Sequence, residues 1–221
     1  MGRGILSGKR VRVWRSTWYA GISLRPLYKR RRYILTARLF IGIELPVQIK
    51  RLLNDVSESL NSRVESAKWV PYENLHLTLK FLGETPDAKI DDVALSLRRA
   101  VAEYRKFYFS LGQLGAFPNQ RKARVLWLGV THGTPELVAI SKSIDNELIN
   151  LGYEKEKRGF SPHITLARIK IPSSVENAIS AVDPNVCQGR IVNVNSITLF
   201  ESRLMPSGAE YAPLEHFNLN P

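Results

Sequence analysis

The chain contains one cysteine, two methionines and four histidines in 221 residues. A lone thiol, Cys187, excludes an internal disulfide and a cysteine-rich zinc site, and it points to a reduced, cytoplasmic compartment. No apolar run approaches the roughly 20 residues that span a bilayer. No Gly-rich triphosphate loop is present, so no ATP use is implied. Acidic residues are missing from one region altogether: residues 1–38 hold eleven Lys or Arg and no Asp or Glu. The net charge of +12 therefore sits in this leader, because the remainder holds 21 basic and 20 acidic side chains. A nearly neutral body binds anions only where individual charges are well placed, not through a global field.

Residues 1–36 are expected to be a misplaced start or an appended segment, poorly ordered and outside a working domain of residues 37–221. Leu35 or a neighbour would then be the true initiator. A basic arm that holds RNA phosphates and an Arg-rich, acid-free transit peptide are the alternatives. The leader has no h-region or cleavage site of a secretory signal.

From Arg38 onward the pattern alternates between strand and helix. "RLFIGIEL" reads as a strand, and Ile49, Leu52, Leu53, Val56 and Leu60 recur at helical spacing after Pro46. "AKWV" and "LHLTLKFLG" read as strands, the second ending at Gly83, and Pro86 opens a helix with Ile90, Val93, Leu97 and Val101 on its buried stripe. "FYFSLGQLGAF" and "RVLWLGV" follow as strands, then a helix from Pro135 with Leu137, Ile140, Ile144 and Leu148 inward. "FSPHITLARI" is a strand, a short helix is expected near 173–182, and two strands close the chain. Roughly equal strand-helix-strand halves predict an α+β protein built by internal duplication. No linker separates independent domains, and a monomer is expected.

Two of the four histidines head the same tetrad: His76-Leu77-Thr78-Leu79 and His163-Ile164-Thr165-Leu166. In a strand, residues i and i+2 share a face about 6.6 Å apart. Each His and its Thr therefore point one way, while Leu77, Leu79 and Phe81, or Ile164 and Leu166, point to the core. A single such His is most often structural, and Thr is a good strand former. A repeat at the same spacing, about half a chain apart, favours function. Displacement at phosphorus uses a proton acceptor for the attacking water and a proton donor for the leaving oxygen, and imidazoles fill both roles near neutrality. Hydroxyls donate to nonbridging phosphate oxygens. No carboxylate stands beside either His, so no metal and no cofactor is expected.

These features resemble the 2H phosphoesterase superfamily, within it the RNA 2′,3′-cyclic phosphodiesterase or 2′-5′ RNA ligase family. Beyond the tetrads, the resemblance rests on "RLFIGIELP", "WVPYENLHLTLKFLGE", "LGAFPN", "RVLWLGV", "SPHITLARI" and "FESRLMPSGAEYAPLEHFNL", in that order, and covers about residues 37–219. It implies a bilobal fold in which two antiparallel sheets flank a central cleft, with helices outside. It also implies hydrolysis of RNA 3′ ends bearing a 2′,3′-cyclic phosphate to 2′-phosphates, with reverse 2′-5′ ligation. On this chain it makes His76 the general acid, His163 the general base, and Thr78 and Thr165 the phosphate-binding pair. Two other readings stand beside it: a non-catalytic RNA-binding protein that uses the basic leader, and a relative acting on another small cyclic phosphate or oligonucleotide.

Four further residues are candidate substrate contacts. Arg124 and Arg168 match basic positions of the family. Arg168 nevertheless has the parity of Ile164 and Leu166, so it points into the core unless a bulge turns it. Lys80 shares the parity of His76 and Thr78, or only reaches solvent at the strand end. Phe40 is placed either to stack on a nucleobase or to fill the core. The basic loop "QRKAR" is either an RNA contact or a solvated turn. His132, in the loop sequence His132-Gly133-Thr134, and His216 head no His-x-Thr-Leu tetrad and read as structural or exposed, and Cys187 as a core residue.

Overall fold

A computed structural model of the chain describes residues 35–156, 159–206 and 208–221. The basic leader lies outside the described residues except for its last two positions, and these belong to the body. Leu35 accepts a hydrogen bond from the Asp87 amide, and Thr36 opens the first strand.

Among the described residues, nine strands and four α-helices follow one another as β1 (Thr36–Glu44), α1 (Val47–Asn61), β2 (Ala67–Trp69), β3 (His76–Pro86), α2 (Ile90–Val101), β4 (Phe107–Phe117), β5 (Ala123–Val130), α3 (Thr134–Leu148), β6 (His163–Ser173), α4 (Glu176–Ser180), β7 (Ile191–Val194), β8 (Ser196–Met205) and β9 (Gly208–Asn218). The strands form one curled antiparallel sheet in the order β7-β4-β5-β6-β3-β1-β8-β9, with β2 beside β6. The two expected sheets are thus two halves of a single sheet. They meet between β6 and β3, the strands that carry the tetrads, through one pairing, Leu77 with Ile164. Beyond it the strands part, and β2 takes the edge of β6 that β3 leaves, pairing Ala67 with Ile169 and Trp69 with Ala167.

Helical stripes bury as their spacing predicts: Ile49, Leu53, Val56 and Leu60 on α1, Val93, Leu97 and Val101 on α2, and Leu137, Ile140, Ile144 and Leu148 on α3. The α3 helix packs on β3, α1 on β6, and α2 against α3 and β9. Each half thus lends a helix to the other's tetrad strand. No helix among the described residues is long and apolar enough to cross a membrane.

Three expectations about β3 change. The strand does not end at Gly83; it runs to Pro86, since Thr85 pairs with Ala37 and is fully buried. Gly83 instead takes a positive φ of 73° where the ladder shifts by one residue between Leu39 and Phe40, a conformation open to glycine at little cost. Pro86 therefore closes the strand, and a short turn (Asp87–Lys89) separates it from α2. Phe81, placed on the core face by simple alternation, is 61% exposed. A second shift pairs Ile41 with Lys80 but Gly42 with Thr78, so Leu79 is an extra residue. A bulge of this kind reverses the faces beyond it.

The β1 backbone approaches β3 closely at Gly42. A Cβ there would stand 2.8 Å from the Leu77 carbonyl oxygen and 3.3 Å from the His76 ring. Gly42→Ala is expected to lower stability by about 1–3 kcal/mol, the usual cost of overpacking. Urea unfolding checks this as a drop in midpoint at unchanged m-value. An unchanged midpoint would show that β1 and β3 separate freely.

Candidate active site

The Leu77–Ile164 pairing lies at the centre of both tetrads. Carried one residue either way, the same antiparallel register sets His76 across from Thr165 and Thr78 across from His163. Directly opposed side chains share a sheet face. Leu77 and Ile164, both fully buried, hold the opposite face in the core. The four polar side chains are thereby arranged about a local twofold.

The tetrads share a second device. The His76 Nδ1–H donates to the Asn74 carbonyl at 2.6 Å, and the His163 Nδ1–H to the Ser161 carbonyl at 2.7 Å. A carbonyl only accepts, so each Nδ1 carries a proton, and whenever the ring is neutral its Nε2 keeps a lone pair for chemistry. The His76 Nε2 accepts from the Thr78 hydroxyl at 2.8 Å. The Asn74 side chain is itself tied down, donating to the Ala209 carbonyl at 2.5 Å.

The surroundings of the two rings differ. His76 is half-buried in an aromatic wall, with Phe40 and Tyr211 centroids at 4.8 and 5.2 Å and Phe200 at 6.0 Å. Burial lowers its pKa to about 4; the Asn74 carbonyl opposes that shift, and the positive charges of Lys50, Arg168 and His163 add to it. His163 stands edge-on to Phe117 at 5.1 Å and near Trp127 at 6.2 Å.

A cavity of about 460 Å³ opens between the halves, lined by Thr78, Phe81, His163, Thr165, Arg168 and Asp145 among others. His76 is not among its lining side chains and is linked to it by the Thr78 hydroxyl. Arg168 reaches the cavity because β6 bulges as β3 does. Leu126 pairs with Ala167 but Trp127 with Thr165, and Leu166 and Ala167 are buried in succession. Arg168 thereby joins the face of His163. Counted from the histidines, Phe81 is its counterpart on β3, and both line the cavity.

The remaining candidates separate. Lys80 also lines the cavity but is largely shielded from solvent and already paired. The bulge turns it inward, its side chain is 8% exposed, and it forms an ion pair with Asp145 of α3 while donating to the Glu154 carbonyl. Phe40 is 2% exposed, stacked on Phe200 and edge-on to Tyr211, so it packs the core against His76 and offers no face to a base. Arg124 is exposed and, unlike its neighbour Val125, does not line the cavity. In the "QRKAR" loop, Arg121 pairs with Glu176, and the Asn119 side chain accepts from the Arg121 and Lys122 amides. His132 stacks on Tyr108 and His216 hydrogen-bonds Thr198. Burial pushes the Cys187 thiol up to about 11. Among the described residues, no three His, Cys, Asp or Glu side chains group as a metal site.

Asp145, Tyr211, Phe200, Phe117 and Trp127 were not singled out by the sequence. Each lies on an element distant in the chain from the tetrad-bearing strand it touches, and nothing in its local pattern marks it.

Known proteins match the chain over both of its halves. The family described as LigT like Phosphoesterase matches twice, over residues 43–127 and 128–211, with one His-x-Thr-Leu tetrad in each span. The chain is 35% identical to an RNA 2′,3′-cyclic phosphodiesterase of Thermotoga maritima over 178 residues, covering 80% of this chain and 92% of the relative. Identity to the protein of the same name from Methanothermobacter thermautotrophicus is 31% over 188 residues, 84% of this chain and 100% of the other. A crystal structure of E. coli LigT complexed with 3′-AMP superposes with a TM-score of 0.69 at 26% identity, covering 85% of this chain and 100% of that one. With the duplicated pattern matched in both halves, the chain belongs to the LigT-like phosphoesterases of the 2H phosphoesterase superfamily.

Proposed function

We propose that the protein hydrolyses 2′,3′-cyclic phosphate ends of RNA to 2′-phosphates by two-histidine acid-base catalysis. The observation that carries this reading is the Leu77–Ile164 pairing, which sets two His-x-Thr pairs about one point beside a cavity. The names of the relatives supply the substrate class.

In this reading Thr78 and Thr165 donate to the nonbridging phosphate oxygens, where charge concentrates. The His163 Nε2 takes a proton from water as its oxygen attacks phosphorus. The bond from phosphorus to the 3′ oxygen breaks with its electron pair, and His76 protonates that oxygen. The 2′-phosphate remains, and the reverse path joins ends through a 2′-5′ linkage. With its pKa lowered to about 4 by burial, His76 is neutral near pH 7. The acid role therefore needs the substrate: an anion held by the threonines favours the imidazolium, so phosphate binding brings a proton with it.

His76→Ala and His163→Ala are each expected to lower kcat by about 10²–10⁴, the usual worth of one acid or base, with circular dichroism unchanged. The assay is release of a 2′-phosphate from RNA carrying a 2′,3′-cyclic end, with and without EDTA. Full turnover by either variant would end the two-histidine proposal, and a cyclic end that persists with the wild type would end the substrate proposal.

The lowered His76 pKa has a second consequence. Between about pH 6.5 and 4 the unfolded chain protonates this histidine while the native protein keeps it neutral. Stability then falls as pH drops through that window and is fully restored above it. Urea midpoints at pH 4.5 and 7.5 should differ more for the wild type than for His76→Gln. Equal differences would mean that His76 does not contribute to the acid limb.

A further inference from the structure

The face of β6 that carries His163 and Thr165 continues past the bulge with Arg168 and Lys170, since Ile169 between them is buried and both cations are exposed. Lys68 on β2 pairs directly with Arg168, so its exposed side chain lies on that same face. Residues two apart on a strand are spaced about 6.6 Å, and the three cations form a short row leading out of the cavity. Neither flanking segment, "AKW" of β2 nor "ARVLWLGV" of β5, contributes an acid. The side chains of Lys68, Arg168 and Lys170 have no ion-pair or hydrogen-bond partner among the described residues. Arg98, Arg99, Arg121 and Arg203, by contrast, are exposed cations that each pair with a carboxylate. The three cations of the row are also held on a paired sheet segment instead of a loop, so little order is lost when they meet a ligand.

We infer that Lys68, Arg168 and Lys170 form a track for the phosphodiester backbone of the RNA strand next to its cyclic end. Resting on the reading of the cavity as an RNA-end site, this makes the preferred substrate an oligonucleotide and not a mononucleotide. Arg168, shared by the central cavity and a neighbouring one of about 350 Å³ that holds Arg38 and Tyr211, is where the track meets the reacting end. The two lysines lie outside both cavities and act only on what extends beyond the terminal nucleotide.

The test compares wild type with the double variant Lys68→Gln, Lys170→Gln on two substrates: a short oligoribonucleotide ending in a 2′,3′-cyclic phosphate, and cytidine 2′,3′-cyclic phosphate. The expected result is a loss of about tenfold in kcat/KM on the oligonucleotide with the mononucleotide unchanged. The Kd of the 2′-phosphorylated product oligonucleotide is measured alongside at several salt concentrations. The slope of log Kd against log salt should fall by about 1.4, which is about 0.7 for each single-strand phosphate that a lysine no longer neutralises. Equal losses on both substrates, or an unchanged slope, would overturn the track. If the wild type cleaved neither substrate, the proposed reaction would fall, while the salt slope of product binding would still decide the track.

Discussion

One pairing between two strands organises the site. Leu77 and Ile164 are fully buried and oppose one another where the halves of the sheet meet. Had β3 and β6 paired along their whole length, the two halves would close into a continuous surface with no room for a ligand. Pairing at one position and then parting satisfies both needs. The tetrads are held in register by core packing, and the diverging strands leave a cavity above them. The freed edge of β6 would otherwise expose unpaired backbone groups; β2 covers it, and the Val70 amide continues the cover by donating to the Leu166 carbonyl.

Duplication made two similar sites, and packing made them different. Both imidazoles hold the same tautomer by the same means, a backbone carbonyl two residues upstream. Their neighbours then diverge, with a wall of Phe40, Phe200 and Tyr211 around His76 and the edges of Phe117 and Trp127 around His163. Burial of one ring lowers its proton affinity. Chemistry that needs an acid and a base at one pH depends on environments that push two like groups apart. In the proposed reaction a bound anion would then have to restore the proton affinity of His76 before it acts as the acid.

The bulges extend this logic to the cavity walls. One extra residue in β3 after Thr78 and one in β6 after Thr165 bring Phe81 and Arg168 to equivalent positions at the mouth. The residue preceding each is turned inward. On β6 that residue is Ala167, which simply packs. On β3 it is Lys80, whose charge is tolerated in the interior only because Asp145 on α3 meets it there. An aromatic ring on one wall and a guanidinium on the other give the two sides of the cavity different chemistry, from strands that began as copies.

The α+β class, the duplication, the helical stripes and both His-x-Thr pairs could be read from residue spacing. Each rests on local periodicity, which a chain carries without knowledge of its partners. Strand alternation also assigned Phe81 to the core and left Arg168 doubtful, because one inserted residue reverses every face beyond it and the insertion is defined only by the partner strand. The burial that sets the state of His76, the pairing of Lys80 with Asp145 and the alignment of Lys68 with Arg168 likewise join segments far apart in the chain. Composition and spacing determined which groups the molecule has for chemistry; the register of the curled sheet decided which of them meet, since contacts between distant strands exist only once the chain has folded.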